Sequence, residues 1–305
     1  AVRVEVERLV EVARRVLEEK AGLRSSMADN SIEGLNEIIK VGTSAGGARA
    51  KAIIAYNEAT GEVRSGQVEA SEGFTYWLIK FDGVTNRQLG DPEGFGRIEY
   101  AYYLMAKSCG IEMAQSRLLE ENGRAHFMTQ RFDRTPHGKR YHMLTLCGIA
   151  HMDYNDPLAY SYEDAFGVMR LMRLPYPDAE QMFRRMVFNV IARNHDDHTK
   201  NTSFLMNREG KWKLAPAYDV IYAFNPDSSW VFQHQMSVNG KRLNITRNDL
   251  VRVARSINIK RYNEVIEGVE ATVRGWLNFA QEAGVPDHQA SSINKSFNYP
   301  SISTK

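Results

Sequence analysis

Long apolar runs, cysteine and charge of one sign are all scarce in this chain, and each scarcity removes a class of protein. No apolar run approaches the length needed to cross a bilayer, and the acidic, amphipathic N-terminus lacks the form of a signal peptide. The expectation is a cytoplasmic protein with no membrane contact. Only two cysteines occur, Cys109 and Cys147, both in apolar surroundings, and buried free thiols fit a reducing compartment. Basic and acidic residues nearly cancel, 39 against 37 for a formal net charge of +2, so nothing in the bulk calls for nucleic acid. Internal repeats and low-complexity tracts are also missing. What remains is an ordinary globular composition, 43% hydrophobic and 25% charged. At 305 residues there is room for two domains or one bilobal unit.

Taken in order, Val2–Lys20 carries apolar residues at helical spacing and predicts an amphipathic helix. A polar stretch leads to the glycine-rich run Val41–Lys51, which feeds the strand-like Ala52–Tyr56. Glycines let backbone N–H groups approach a phosphate, although taken alone the segment is better read as a plain turn between elements. It is not a Walker A loop, because Ala48 stands where the lysine belongs, and it is not the G-x-G-x-x-G of ordinary protein kinases. Phe74–Phe81 alternates and reads as a strand. Lys80 interrupts it, either at a solvent edge or as a lysine that holds the α- and β-phosphates of ATP. A helix follows over Gly96–Lys107 with Glu99 near its start, then a hairpin from Ser116 to Gln130 and a turn through Arg131–Lys139. Composition then shifts from strand-rich to helix-rich, so residues 1–130 and 131–305 are the expected lobes.

Beyond that boundary, Tyr162–Leu174 and Asp178–Ala192 predict helices, and a hairpin spans Thr202–Leu214. Thr246 with Asp249 caps a further helix, Tyr262–Ala283 reads as one long helix, and the Ser/Asn-rich tail from His288 reads as frayed. Between helix and hairpin lies the densest chemistry in the chain, Arg193-Asn194-His195-Asp196-Asp197-His198-Thr199-Lys200-Asn201, with Pro216-Ala217-Tyr218-Asp219 after the hairpin. Three readings compete. His195-Asp196 has the form of a metal-dependent phosphohydrolase signature, with His142 and His151 as further ligands. A capped, solvated turn is the bland reading. The third is phosphoryl transfer, in which an Asp takes the hydroxyl proton while an Asn and a later Asp hold Mg²⁺. Asp196, Asn201 and Asp219 have that order, and Lys200 between them would neutralise the moving phosphoryl group. Lys80 and a glycine-rich loop precede them in the order a kinase uses.

At these residues the chain resembles the HipA family of toxin-type serine/threonine kinases, over most of residues 40–285. The family's catalytic stretch, Asp-x-His-x-Lys-Asn, is Asp196-Asp197-His198-Thr199-Lys200-Asn201, and its Pro-x-Tyr-Asp is Pro216-Ala217-Tyr218-Asp219. Its phosphate-side loop, Ser-x-x-Gly-x-x-x-Lys, is Ser44 to Lys51, and its hinge appears as Gln130-Arg131-Phe132-Asp133-Arg134, with Gln130 in place of the commoner Glu. The resemblance implies an α+β, bilobal, kinase-like fold with a small mixed N-lobe and a mainly helical C-lobe. It implies ATP and Mg²⁺ as cofactors, Asp196 as base, and Asn201 and Asp219 as metal ligands. Lys80 would contact phosphates, His198 the nucleotide or the catalytic loop, and Gln130 and Phe132 would frame the adenine. Ser44, Gly46 and Gly47 would cover the phosphates, with Ser44, or its neighbour Thr43, as an inactivating autophosphorylation site. The implied partners are a translation-related protein substrate such as an aminoacyl-tRNA synthetase, a cognate antitoxin, and DNA only through that antitoxin. The resemblance further implies that an N-terminal subdomain usual in the family is missing here or reduced to the first helix, and the expectation is either a shortened toxin that needs a separate small partner or a fragment. A catalytically silent member, acting as a binding module with an antitoxin, is the rival reading.

Overall fold

The computed structural model describes residues 49–66, 72–85, 94–121, 124–135, 140–156 and 158–300. The helix expected over Val2–Lys20 and the loop bearing Thr43, Ser44, Gly46 and Gly47 lie outside them. The chain divides into two compact units, one reaching Tyr100 and including Ala114–Arg140, the other formed by Ala101–Met113 and the chain from Tyr141 onward. A single boundary after residue 130 assigns the segment 101–113 to the first lobe, whereas here it belongs with the second unit.

The first unit is built on strands β1 (Arg49–Asn57), β2 (Val63–Ser65), β3 (Phe74–Thr85), β4 (Ser116–Glu121) and β5 (Arg124–Gln130). They pair antiparallel in the order β2-β1-β3-β5-β4. Period-two alternation puts Ile79 and Phe81 on one face of β3 and Lys80 and Asp82 on the other, and both faces are buried. The register sets Lys51 opposite Lys80, and Lys80 opposite Phe127. Helix α1 (Phe95–Ser108) begins against β5: a Cβ on Gly96 would overlap the carbonyl oxygen of Ala125, so only glycine lets the helix start this close. That approach brings Glu99, one turn further on, to Lys80. Gly110, at φ 78°, ends the helix by donating to Lys107 O at 2.9 Å while Ile111 N–H reaches Ala106 O at 3.1 Å.

The second unit contains β6 (His142–Thr145), α2 (Leu146–Ile149), α3 (Tyr162–Leu171), α4 (Tyr176–Ile191), β7 (Ser203–Met206), β8 (Trp212–Leu214), α5 (Arg247–Ser256), α6 (Tyr262–Arg274), α7 (Trp276–Glu282) and α8 (Asp287–Ser296). Its small antiparallel sheet has the order β6-β7-β8. Helix α4 is the axis, burying Met182, Phe183, Met186, Val187, Phe188, Val190 and Ile191. Tyr102 packs edge-on to Phe188 and Trp276 and donates to Ala192 O at 2.6 Å, at the point where α4 gives way to the loop through Asn194–Asn201. The capping box at Thr246 and Asp249 forms as expected.

Three expectations need correction. Helix α3 stops at Leu171, short of Leu174, because Arg173 turns left-handed at φ 56°. Tyr262–Ala283 is not one helix: Gly275 donates to Thr272 O, three residues back, and this tighter turn separates α6 from α7. The tail from His288 is not frayed over the described residues. It forms α8, which buries Ala290 and Ile293, and Ala290 O accepts the indole N–H of Trp276 at 2.9 Å. Tertiary burial overrode a polar composition there. Both cysteines are free thiols, with Cys109 buried and Cys147 only half-buried.

Candidate active site

The second unit assembles most of the expected residues around the loop after α4. Arg193, at φ 55°, ends the helix and throws the chain into Asn194–His198, its guanidinium lying 4.7 Å over the ring of Phe224. Asn194 and His195 are buried and face inward. The His195 ring donates from Nδ1 to Val231 O at 3.2 Å and stacks 4.1 Å from His234 and 5.0 Å from Phe224. Burial, then the neighbouring His234, pushes its pKa down to about 3, so it is a neutral core ring. No group of three or more metal-ligating His, Cys, Asp or Glu occurs among the described residues. Of the other phosphohydrolase candidates, His142 stacks on Trp212 and His151 is exposed. Nothing gathers them around His195.

Asp196 turns outward, its side chain one-third exposed. Its Oδ1 accepts the indole N–H of Trp230 at 2.7 Å and lies 3.7 Å from His198 Nε2. Burial raises its pKa, and the charges of Asp219 and Asp197 add to this, while His198 and the Trp230 hydrogen bond oppose it. Asn201, in a single 3-10 turn over Thr199–Asn201, donates from Nδ2 to the backbone carbonyl of Asp196 at 2.8 Å. Its amide oxygen is therefore turned away from that carbonyl. Asp219 takes φ 55° after the Pro216-Ala217-Tyr218 run, which Ala217 N–H anchors on Glu112 O at 2.7 Å. Tyr218 bonds Lys200 O at 2.5 Å and shares a short hydrogen bond with Ser203 Oγ, locking the two motifs together. Asp197, His198, Asn201 and Asp219 line one pocket with Asn194 and Thr202.

This arrangement suits a hard divalent cation. Asn201 and Asp219 line the same pocket, and an amide oxygen and a carboxylate are the kind of oxygen ligands such a cation takes. The Lys200 ammonium, in the same loop as the acids, sits 3.1 Å over the ring of Tyr154, a cation–π contact.

Asp197, which the sequence leaves without a role, is the loop's internal anchor. Its Oδ2 accepts Tyr162 OH and His234 Nδ1, each at 2.8 Å, and its Oδ1 accepts Gln235 N–H at 2.7 Å. Burial alone would raise its pKa; the His234 interaction and the three hydrogen bonds more than reverse this, holding it below its ordinary value. The sequence offered no signal for Trp230 or His234, which stand 34 and 37 residues beyond the acids they bind.

In the first unit Lys80 and Glu99 form a buried ion pair, so the solvent-edge reading of Lys80 is wrong. Gln130 donates its N–H to Gln115 O at 2.8 Å, and Arg131 donates its own to Tyr76 O at 2.8 Å. Phe132 is half-buried beside Arg131, which pairs with Asp133 through two hydrogen bonds.

A five-stranded sheet whose strand lysine pairs with a helix glutamate, and a helical unit whose loops carry Asp196, Asn201 and Asp219, define an α+β protein of kinase-like fold. Residues 43–277 match the HipA-like C-terminal domain family, and the chain belongs to it. The toxin HipA of Shewanella oneidensis MR-1, solved with HipB and its operator DNA, superposes with a TM-score of 0.60 at 16% identity, covering 96% of this chain and 68% of that one. The kinase-named protein Y4mE of Sinorhizobium fredii is 26% identical over 191 residues, 59% of this chain. The match spans 39% of that protein's length.

Proposed function

We propose that the chain is an ATP- and Mg²⁺-dependent serine/threonine protein kinase of the HipA toxin type. The observation that carries this is the trio in the second unit: Asn201 is clipped to the Asp196 carbonyl and lines one pocket with Asp219. The buried pairing of Lys80 with Glu99 supports it, since kinases use such a pair to hold the lysine for nucleotide phosphates. Mg²⁺ held by Asn201 and Asp219 would supply charge neutralisation for the phosphates. Asp196 accepts the proton of a Ser or Thr hydroxyl as that oxygen bonds to the γ-phosphorus, and the β–γ bridging oxygen leaves with ADP. Lys200 and His198 border the base, Lys80 receives phosphate oxygens, and Gln130 and Phe132 frame the adenine. Ser44, with Thr43 beside it, is the proposed self-modification site, where added phosphate charge would oppose ATP at the Gly46-Gly47 loop.

By family, the substrate would be a component of translation, and an antitoxin would be the partner that reaches DNA. Incubation with γ-labelled ATP and Mg²⁺ tests the chemistry, with wild type beside Asp196→Asn. Label on the wild type and at least 100-fold slower labelling of the variant is expected. Equal label on both, or none on either, refutes the proposal.

A further inference from the structure

The segment from Ala223 to Gln235 is fastened to the catalytic loop residue by residue. Ala223 exchanges backbone hydrogen bonds with it, donating to Arg193 O at 3.0 Å and accepting from His195 N–H at 3.1 Å. Val231 O takes the ring N–H of His195, the indole of Trp230 takes Oδ1 of Asp196, and His234 and Gln235 together take both oxygens of Asp197. Gln235 also bonds back from its side chain to Trp230 O, and Ser228 Oγ accepts the N–H groups of Trp230 and Val231 at 3.2 Å each. Two consecutive carboxylates are thus held by one segment, the buried one as anchor and the outward one by its tip.

We infer that Trp230 is a positioning residue for phosphoryl transfer, an indole clasp that fixes which oxygen of Asp196 receives the acceptor proton. This rests on the reading of Asp196 as the base. An unrestrained carboxylate offers either oxygen through rotation about its terminal torsion. Indole Nε1–H is a donor only, so it bonds an ionised oxygen and cannot exchange roles with it. With Oδ1 so engaged, and with no hydrogen bond to Oδ2 among the described residues, Oδ2 is the oxygen presented to a hydroxyl. The clasp is itself rigid because its backbone is tied at Ser228 and Gln235 and, through Gln235, to buried Asp197. Positioning of this kind acts on the chemical step and leaves nucleotide binding alone.

The test uses Trp230→Phe, which keeps an aromatic ring and removes the N–H. Self-labelling at saturating Mg·ATP is expected to slow about 10-fold, a fraction of the usual 10²–10⁴ contribution of a general base, with the half-saturating ATP concentration changed less than 2-fold. An unchanged rate overturns the inference, as does a loss shared between rate and ATP affinity and accompanied by a lower Tm, which marks a merely structural residue. Asp196→Asn run in parallel separates the two ideas: full labelling by that variant removes the base, whatever Trp230→Phe does. A second readout is independent of turnover. The chain has four tryptophans, and the Trp230 indole N–H resonance, identified by its loss in Trp230→Phe, should move upfield in Asp196→Ala. A resonance that stays in place overturns the contact.

Discussion

Replacing Asp197 by Asn keeps the volume of the side chain and removes only its charge and half its accepting capacity. The wild-type carboxylate satisfies three donors, Tyr162 OH and His234 Nδ1–H on one oxygen and Gln235 N–H on the other. An amide can place its oxygen toward the first two, but its NH₂ then faces the Gln235 N–H. One buried backbone donor and one buried amide are left without partners, each costing about 1–3 kcal/mol. Together with the weakened His234 contact, these losses correspond to the range of about 3–5 kcal/mol seen when a buried pair is broken by removing one partner. At roughly 2–4 °C per kcal/mol for a unit of this size, Tm should fall by about 6–20 °C, read by circular dichroism at pH 7. The pH dependence follows from the lowered pKa. Asp197 contributes fully above its ordinary value of 3.8 and loses that contribution as pH falls through its lower folded value. The gap between wild type and Asp197→Asn should therefore be constant near neutrality and narrow in acid. A Tm loss below about 2 °C, or a gap that persists undiminished into acid, would refute the assignment of Asp197 as an anchor.

Glu99→Gln leaves the Lys80 ammonium buried without its counter-charge, so urea denaturation should register a loss of about 3–5 kcal/mol and the half-saturating ATP concentration should rise. A variant as stable as wild type, with unaltered ATP dependence, would contradict the role given to that pair. Burial pushes the Cys109 thiol up to about 12, so in the native protein at pH 8 it should resist Ellman's reagent, whereas both thiols should react in denaturant. Two rapidly reacting thiols without denaturant would be inconsistent with this packing.

Much of the site was legible because its chemistry is local in sequence. Asp196, His198, Lys200 and Asn201 fall within one loop, and Tyr218-Asp219 follow a hairpin marked by its Asn207-Arg208-Glu209-Gly210 turn. The strands β1 and β3 and the helices α1, α3 and α4 were likewise readable from period-two and helical patterns. The misplaced elements were those decided by burial of polar segments, the Gly275 break and helix α8.

Sequence by itself therefore determined the order of the motifs and which acids to suspect, since these depend on residue type and spacing within a few turns of chain, and it pointed to the fold class through the family resemblance those motifs carry. Tertiary structure decided how those acids differ. Asp196 and Asp197 are identical and adjacent, and only their surroundings separate them: one meets an indole and a neighbouring carboxylate near solvent, the other a histidine, a tyrosine and a backbone amide in the core. Those partners arrive from α3 and from the segment around residues 230–235, far along the chain. Desolvation and hydrogen bonding are properties of the folded surroundings, so the division of labour between the two aspartates exists only once the chain has closed around them.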